Sequence, residues 1–153
     1  MMLRGYRSGD HGLLNGPWPP GELLGLPLAE WPALAEPASV RPPTDDSEEL
    51  CVVPGAGFVR YAEIDWVHRR ARVEIGLRPG HTEALDLLMK SVTTHGFLGL
   101  NLHRLHGWVT PAANPATGAL ESAGFRREAS VPGNTWFDGR PVEREIWAVV
   151  RDA

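Results

Sequence analysis

Six histidines, one cysteine and a scatter of carboxylates are the residues of this chain that could carry chemistry, and their spacing excludes more than it selects. His103 and His106 stand three apart in a stretch that reads as a strand, so their rings point to opposite faces. No HxxxH or HExxH pair is present, and no metal site is expected. With Cys51 the only cysteine, neither an intrachain disulfide nor a site built from cysteines can form. Nor is there a GxSxG nucleophile motif. Cys51 falls in a predicted strand with no histidine beside it in sequence and reads as a small buried hydrophobe. Glu63 and Asp65 share one face of another predicted strand, where a solvated hairpin edge fits better than an acid and base pair.

Composition narrows the partners. A chain of 153 residues with 42% hydrophobic and 22% charged residues is expected to fold as one domain, 1–153, with a single core. Its net charge of −4 gives no broad attraction to nucleic acid or to an anionic membrane surface. The 15 basic residues are 14 arginines and Lys90, and with 17 Gly and 14 Pro that bias reads as a GC-rich coding sequence. No apolar run approaches the roughly 20 residues that cross a bilayer, and the opening MMLRGYRSGDHG lacks the apolar stretch of a signal peptide. A soluble, cytoplasmic protein is expected.

The elements that must position these side chains begin near residue 48. From Gly16 to Pro43 the chain is dense in proline, which permits only short helices, one of them around Leu28 to Glu36. TDDSEE from Thr44 reads as an exposed acidic loop. Glu49 to Val53 and Gly57 to Asp65 are predicted strands joined by turn residues, and Arg70 to Leu77 follows after a turn at His68 and Arg69. Thr82 can cap a helix whose Leu85, Leu88, Met89 and Val92 form one apolar stripe and which Gly96 would end. Leu102 to Val109 is the next strand. Asn114 as cap, Pro115 at the first helical position and Gly124 as stop delimit a compact helix, before strands Phe125 to Val131 and Val142 to Val150. The fold class is α/β in the mixed, α+β sense, and this order alone names no chemistry.

Four phrases, RARVEIGLRP from Arg69, HTEALDLL from His81, LNLHRLHGWV from Leu100 and NPATGALESAGF from Asn114, resemble the GNAT superfamily, the GCN5-related N-acetyltransferases. The resemblance is nearest to the branch that acetylates ribosomal-protein N-termini and small-molecule amines, and it covers about residues 57 to 150, with Met2 to Gly12 as a plausible first strand. It implies a twisted, mostly antiparallel sheet of about seven strands flanked by about four helices. Acetyl-CoA, or a related acyl-CoA, would be the co-substrate, bound where the strands Arg70 to Leu77 and Leu102 to Val109 splay apart. Backbone amides near Ile75 and Leu77 would hold the pantetheine arm and support the developing oxyanion. Arg78, Gly80, His81, Thr82 and Asn114 would complete the cofactor site.

The resemblance further implies Glu74 as general base, with His103 in the NLHR phrase beside the cleft. Trp18, Trp31, Trp136 and Asp138 would line the acceptor pocket, although such aromatics suit a core or a homodimer patch equally. Two departures stand out. Only Arg78, Pro79, Gly80, His81 and Thr82 separate the strand from its helix, so the loop is short, lacks GxG, and loses one N–H at Pro79. The family's tyrosine acid is matched by Leu120, which cannot donate a proton. Three functions follow: N-acyl transfer to a small-molecule or peptide amine, acid and base chemistry in the same cleft without CoA, or noncatalytic ligand binding.

Overall fold

Three strands form where the turn residues and, in the third, the alternation of the sequence place them. The computed structural model describes residues 3–14, 18, 21–25, 40–78, 80–81 and 83–152. In it β2 (Glu49–Val53), β3 (Gly57–Asp65) and β4 (Arg70–Leu77) form two successive antiparallel hairpins. The first turn carries Gly55 at φ 71°, and the second carries Arg69 at φ 58°. A bulge between Ala62 and Asp65 puts Glu63 at φ 52°, so Glu63 and Asp65 do not share a regular strand face. Asp65 instead accepts hydrogen bonds from the Val67 and His68 amides and binds the His68 ring, which makes it a turn residue.

Ala71, Val73, Ile75 and Leu77 face inward at 0–1% exposure and meet α1 (Leu85–Thr94). The expected stripe of Leu85, Leu88, Met89 and Val92 is the buried face of that helix. Each such side chain contributes roughly 2 kcal/mol of apolar burial. Thr82, the expected cap, lies outside the described residues, and Ala84 holds the N-cap position with no side-chain hydrogen bond. Gly96 does not end the helix. The chain continues through a π turn, His95–Gly99, closed by the Leu100 amide on the His95 carbonyl at 2.9 Å.

β5 (Arg104–Val109) starts two residues later than expected, and leads through a 3-10 turn, Pro111–Ala113, to α2 (Thr117–Ser122). Asn114 is not the cap of α2. It precedes Pro115, which disfavours the right-handed helical region, and it adopts φ 53° and ψ 54°, a left-handed conformation that asparagine tolerates. Gly124 does stop the helix, at φ 94°. β6 (Arg126–Phe137) and β7 (Arg140–Val150) run longer than expected, so the NTWFDGR segment is strand and tight turn rather than a loop. At the other end, among the described residues, only Arg4–Gly5 forms a strand, β1, followed by a 3-10 stretch, Ser8–Leu14.

The sheet order is β1-β2-β3-β4-β5-β7-β6, seven strands, and β4 with β5 is its one parallel pair among the described residues. The helix expected around Leu28 to Glu36, and Trp31, lie outside the described residues. No helix among those described is long and apolar enough to cross a membrane.

One position tests the tightness of the β3–β4 pairing. A Cβ on Gly57 would lie 1.9 Å from the Gly76 carbonyl oxygen, a backbone atom that cannot rotate away. Gly57→Ala is expected to cost about 3 kcal/mol, read as a lowered denaturant midpoint. A loss under about 1 kcal/mol would contradict this packing.

Candidate functional site

β4 and β5 pair for only three rows, Arg70 with Arg104, Ala71 with Leu105 and Arg72 with His106, and then diverge. Beyond that point the main-chain groups of Val73 to Leu77 and Gly107 to Val109 have no strand partner across the gap, although buried N–H and C=O groups must find one. Residues 21–25 supply it. The Leu23 amide donates to the Trp108 carbonyl at 2.8 Å, the Gly25 amide donates to the Ile75 carbonyl at 2.6 Å, and the Ile75 amide donates to the Glu22 carbonyl at 3.1 Å. Glu22 bridges to Trp108 and Gly25 to Gly76 in the parallel sense, so the segment lies in the wedge, held there by two isolated bridges.

Gly107 makes room for the insertion, and Gly76 makes room for Phe58 and Trp18. A Cβ on Gly107 would sit 2.7 Å from Leu23 Cβ, and one on Gly76 would sit 2.7 Å from Trp18 Cε3. Leu23 is fully buried in the core facing the helices, and Trp18 is 4% exposed, edge-on to Phe58 and beneath the Arg78 guanidinium. Trp18 is therefore a core residue of the β4 end rather than the wall of an open acceptor pocket.

On the opposite face of the sheet the segment is anchored by charge. Glu22, 4% exposed, meets Arg144 at 2.6 Å, and Arg144 also stacks over Trp108 at 5.3 Å. Burial raises the Glu22 carboxyl above its ordinary value despite the opposing pull of Arg144 and Thr110. On that same face a cavity of about 490 Å³ is lined by Glu63, Arg72, His106, Trp108 and Arg144 among others. Glu74 is held by the Arg72 guanidinium, which also reaches Glu63 at 3.4 Å.

His106, which the sequence placed near the presumed cofactor cleft with no role assigned, lines the same cavity. Its Nδ1 is buried with no hydrogen-bond partner. Burial first, then the positive charges of Arg104 and Arg72, lower its pKa from 6.5, so the neutral imidazole is favoured. For a base with a depressed value in the folded state, stability is fully present above 6.5 and falls as pH drops through the lowered value. The only sequence signal was its strand parity with Arg104 and Trp108.

The remaining expected residues are dispersed. His103 lies exposed just ahead of β5, its amide bonded to the Arg69 carbonyl at 2.6 Å, at the paired end of the wedge rather than the open one. Ile75 and Leu77 point their side chains into the core, and both main-chain groups of Ile75 are taken by residues 22 and 25. Arg78 donates its amide to Ala56 and a guanidinium N–H to Leu13, while Gly80, at φ 85°, and His81 are exposed in the turn that follows. Asn114 lines a cavity of about 790 Å³ at the β5–α2 junction with Val109, Thr117, Glu121 and Trp147. Trp136 is 70% exposed on β6 and Asp138 sits in the β6–β7 turn at φ 49°, so neither joins Trp18. Leu120 is fully buried. Burial, then Glu49, pushes the Cys51 thiol up to about 12, which rules it out as a nucleophile at neutral pH.

No protein-family model and no curated protein matches the chain. Solved structures do. The spermidine N-acetyltransferase from Vibrio cholerae in complex with CoA and spermine aligns with a TM-score of 0.75 at 21% identity, over 97% of this chain and 94% of that one. A SpeG chimera of the Vibrio cholerae spermidine N-acetyltransferase and hSSAT aligns at 0.63 and 26% identity, over 69% and 67%. The dodecameric form of the Vibrio cholerae enzyme in an intermediate state aligns at 0.65 and 24%, over 69% and 66%.

The Glu22–Arg144 pair sets an asymmetry. Arg144→Met strands a buried carboxylate and is expected to cost about 3 kcal/mol, the lower end for a broken buried pair. Glu22→Gln removes the desolvated charge itself and is expected to cost less, by urea denaturation. Equal losses would mean that burial of Glu22 carries no penalty.

Proposed function

We propose that this chain, which has the GNAT fold, is an N-acyltransferase that moves an acetyl or other acyl group from a CoA thioester to a small amine. The observation that carries the reading is the wedge: two parallel strands that part after three rows and leave main-chain donors and acceptors facing a gap. The solved structure with CoA and spermine, alike over nearly its whole length, supports both the thioester and the class of acceptor.

In the reaction the neutral amine nitrogen attacks the thioester carbonyl, the tetrahedral adduct collapses with cleavage of the C–S bond, and the proton that the nitrogen must still lose passes, through water, to the departing CoA thiolate. Two tasks fall to the protein. Amides of the β4 end hold the acyl carbonyl and stabilise its developing negative charge. A base takes the proton from the incoming ammonium, and His106 suits that task because it is held neutral and lines the cavity facing the wedge. Glu74, the expected base, is engaged by Arg72 and serves better to hold that arginine beside the acceptor.

Residues 21–25 occupy the strand edge that the pantetheine arm would use, so turnover requires the segment to withdraw. Binding energy spent on this opening lowers the apparent affinity by the fraction of open molecules. The same occupancy, with Pro79 in the short loop, favours a second reading in which the fold has given up CoA and uses the His106 cavity for acid and base chemistry.

Calorimetric titration with acetyl-CoA and desulfo-CoA separates the two. Weak one-to-one binding that tightens at least about tenfold in Leu23→Ala is expected if the segment competes with the thioester. No binding up to millimolar ligand, in either the parent or a folded Leu23→Ala, would sink the acyltransferase reading in favour of the second. For an active preparation, kcat/KM against amine is expected to fall only as pH drops below 6.5, and His106→Asn to abolish that limb. A limb that survives the substitution assigns the proton transfer elsewhere.

A further inference from the structure

On the helix-covered side of the sheet, away from the His106 cavity, three donor groups that are far apart in sequence converge. Glu49 and Cys51 are two residues apart on β2 and so share one face. His95 comes to them from the end of α1. Its Nε2 contacts Glu49 Oε2, and Cys51 Sγ lies 3.9 Å from that same oxygen. All three ligand atoms fall within 4.8 Å of one another.

The local backbone is shaped around the histidine. His95 opens the π turn, a departure from regular helix that recurs at functional sites, and its ring is pressed against Gly99, where a Cβ would come within 2.8 Å of Nδ1. Tyr61 lies 5.5 Å away, centroid to centroid, fixed by its own hydroxyl donating to the Val92 carbonyl at 2.6 Å. The ring is thus aimed with Nε2 toward β2. Access exists as well: His95 lines a groove of about 800 Å³ between Leu87, Lys90, Thr94 and Leu98, and Cys51 is buried at 2% exposure.

We propose that Glu49, Cys51 and His95 form a binding site for a single divalent transition-metal ion, zinc by ligand type, that ties the end of α1 to β2. One thiolate, one imidazole and one carboxylate are the donors of a borderline-soft ion and a poor set for magnesium or calcium. Donors around a tetrahedral zinc at about 2.0–2.3 Å lie roughly 3.3–3.8 Å apart, a spacing that small rotations of Glu49 and His95 would reach. Three protein ligands leave a fourth position for water. On binding, the Cys51 thiol proton passes to solvent and the Glu49–His95 contact is replaced by two bonds to the metal.

The full chain, stripped with a chelator, is titrated with Co²⁺ and Zn²⁺. One-to-one Co²⁺ binding is expected to produce visible bands of tetrahedral strength and a near-ultraviolet sulfur-to-metal charge-transfer band, both bleached by Zn²⁺. Cys51→Ser should lose the charge-transfer band, and His95→Gln should weaken binding at least about tenfold. Zn²⁺ should raise the melting temperature of the parent and not of His95→Gln, whose circular dichroism without metal reports its folding. Binding without the charge-transfer band, binding unchanged in folded His95→Gln, or no binding at millimolar metal would each overturn the proposal, the first two assigning the ion to other histidines.

Discussion

A single constraint organises this molecule: β4 and β5 start together and cannot stay together, because the twist of the sheet and the crossover through α1 carry them apart after Arg72 and His106. Parting two central strands exposes main-chain polar groups in the middle of a sheet, where each unmade hydrogen bond costs about 1–3 kcal/mol. Something must satisfy them. In this chain residues 22–25 do so for Ile75 and Trp108, and much of what surrounds the wedge follows from accommodating them: glycine at 107, Leu23 in the core, and a buried acid at 22 that demands Arg144.

The pairing also divides the sheet into two chemical halves. On one face, parity places Ala71, Val73, Ile75, Leu105 and Val109 against the helices. On the other it places Arg72, Glu74, His106 and Trp108, a polar surface at the heart of the sheet. A proton acceptor on that surface is kept neutral by the same burial and the same arginines that hold the neighbouring acids. The Cys51 cluster lies on the apolar side, so chemistry on one face and metal coordination on the other would share no ligand.

The parts of the fold that were legible in the sequence are those where local pattern and burial agree. The turn residues between ELCVV and GFVRYAEID and the alternation in RARVEIGL placed β2, β3 and β4 at their observed bounds, and the stripe of α1 was visible from its spacing. Asn114 misled because cap residues are also the ones that tolerate left-handed backbone, and the proline after it decides which role is taken. The candidate site was less legible. Residues 21–25 have no strand pattern and pair only because a gap exists, Glu22 and Arg144 meet across 122 positions, and Cys51 meets a histidine 44 residues away. Such contacts are tertiary and leave no periodic trace. The sequence leaves Trp18 open between pocket wall, core and dimer patch, because a tryptophan in a proline-rich segment carries no sign of whether a glycine on a distant strand has made room for it.

The inserted segment meets the two wedge strands through backbone, with two N–H donors and one N–H acceptance against β4 and β5. A molecule entering the same gap therefore trades places with a peptide. The exchange is balanced in hydrogen bonds only if the newcomer offers amide groups at the spacing of an extended chain, as the paired amides of a pantetheine arm or a short peptide do. Charge and size count for less at this point than that rhythm of donor and acceptor: a ligand without amides would have to leave Ile75 and Trp108 unpaired. The wedge so becomes a gauge of amide spacing, set by the chain's own residues as its reference ligand.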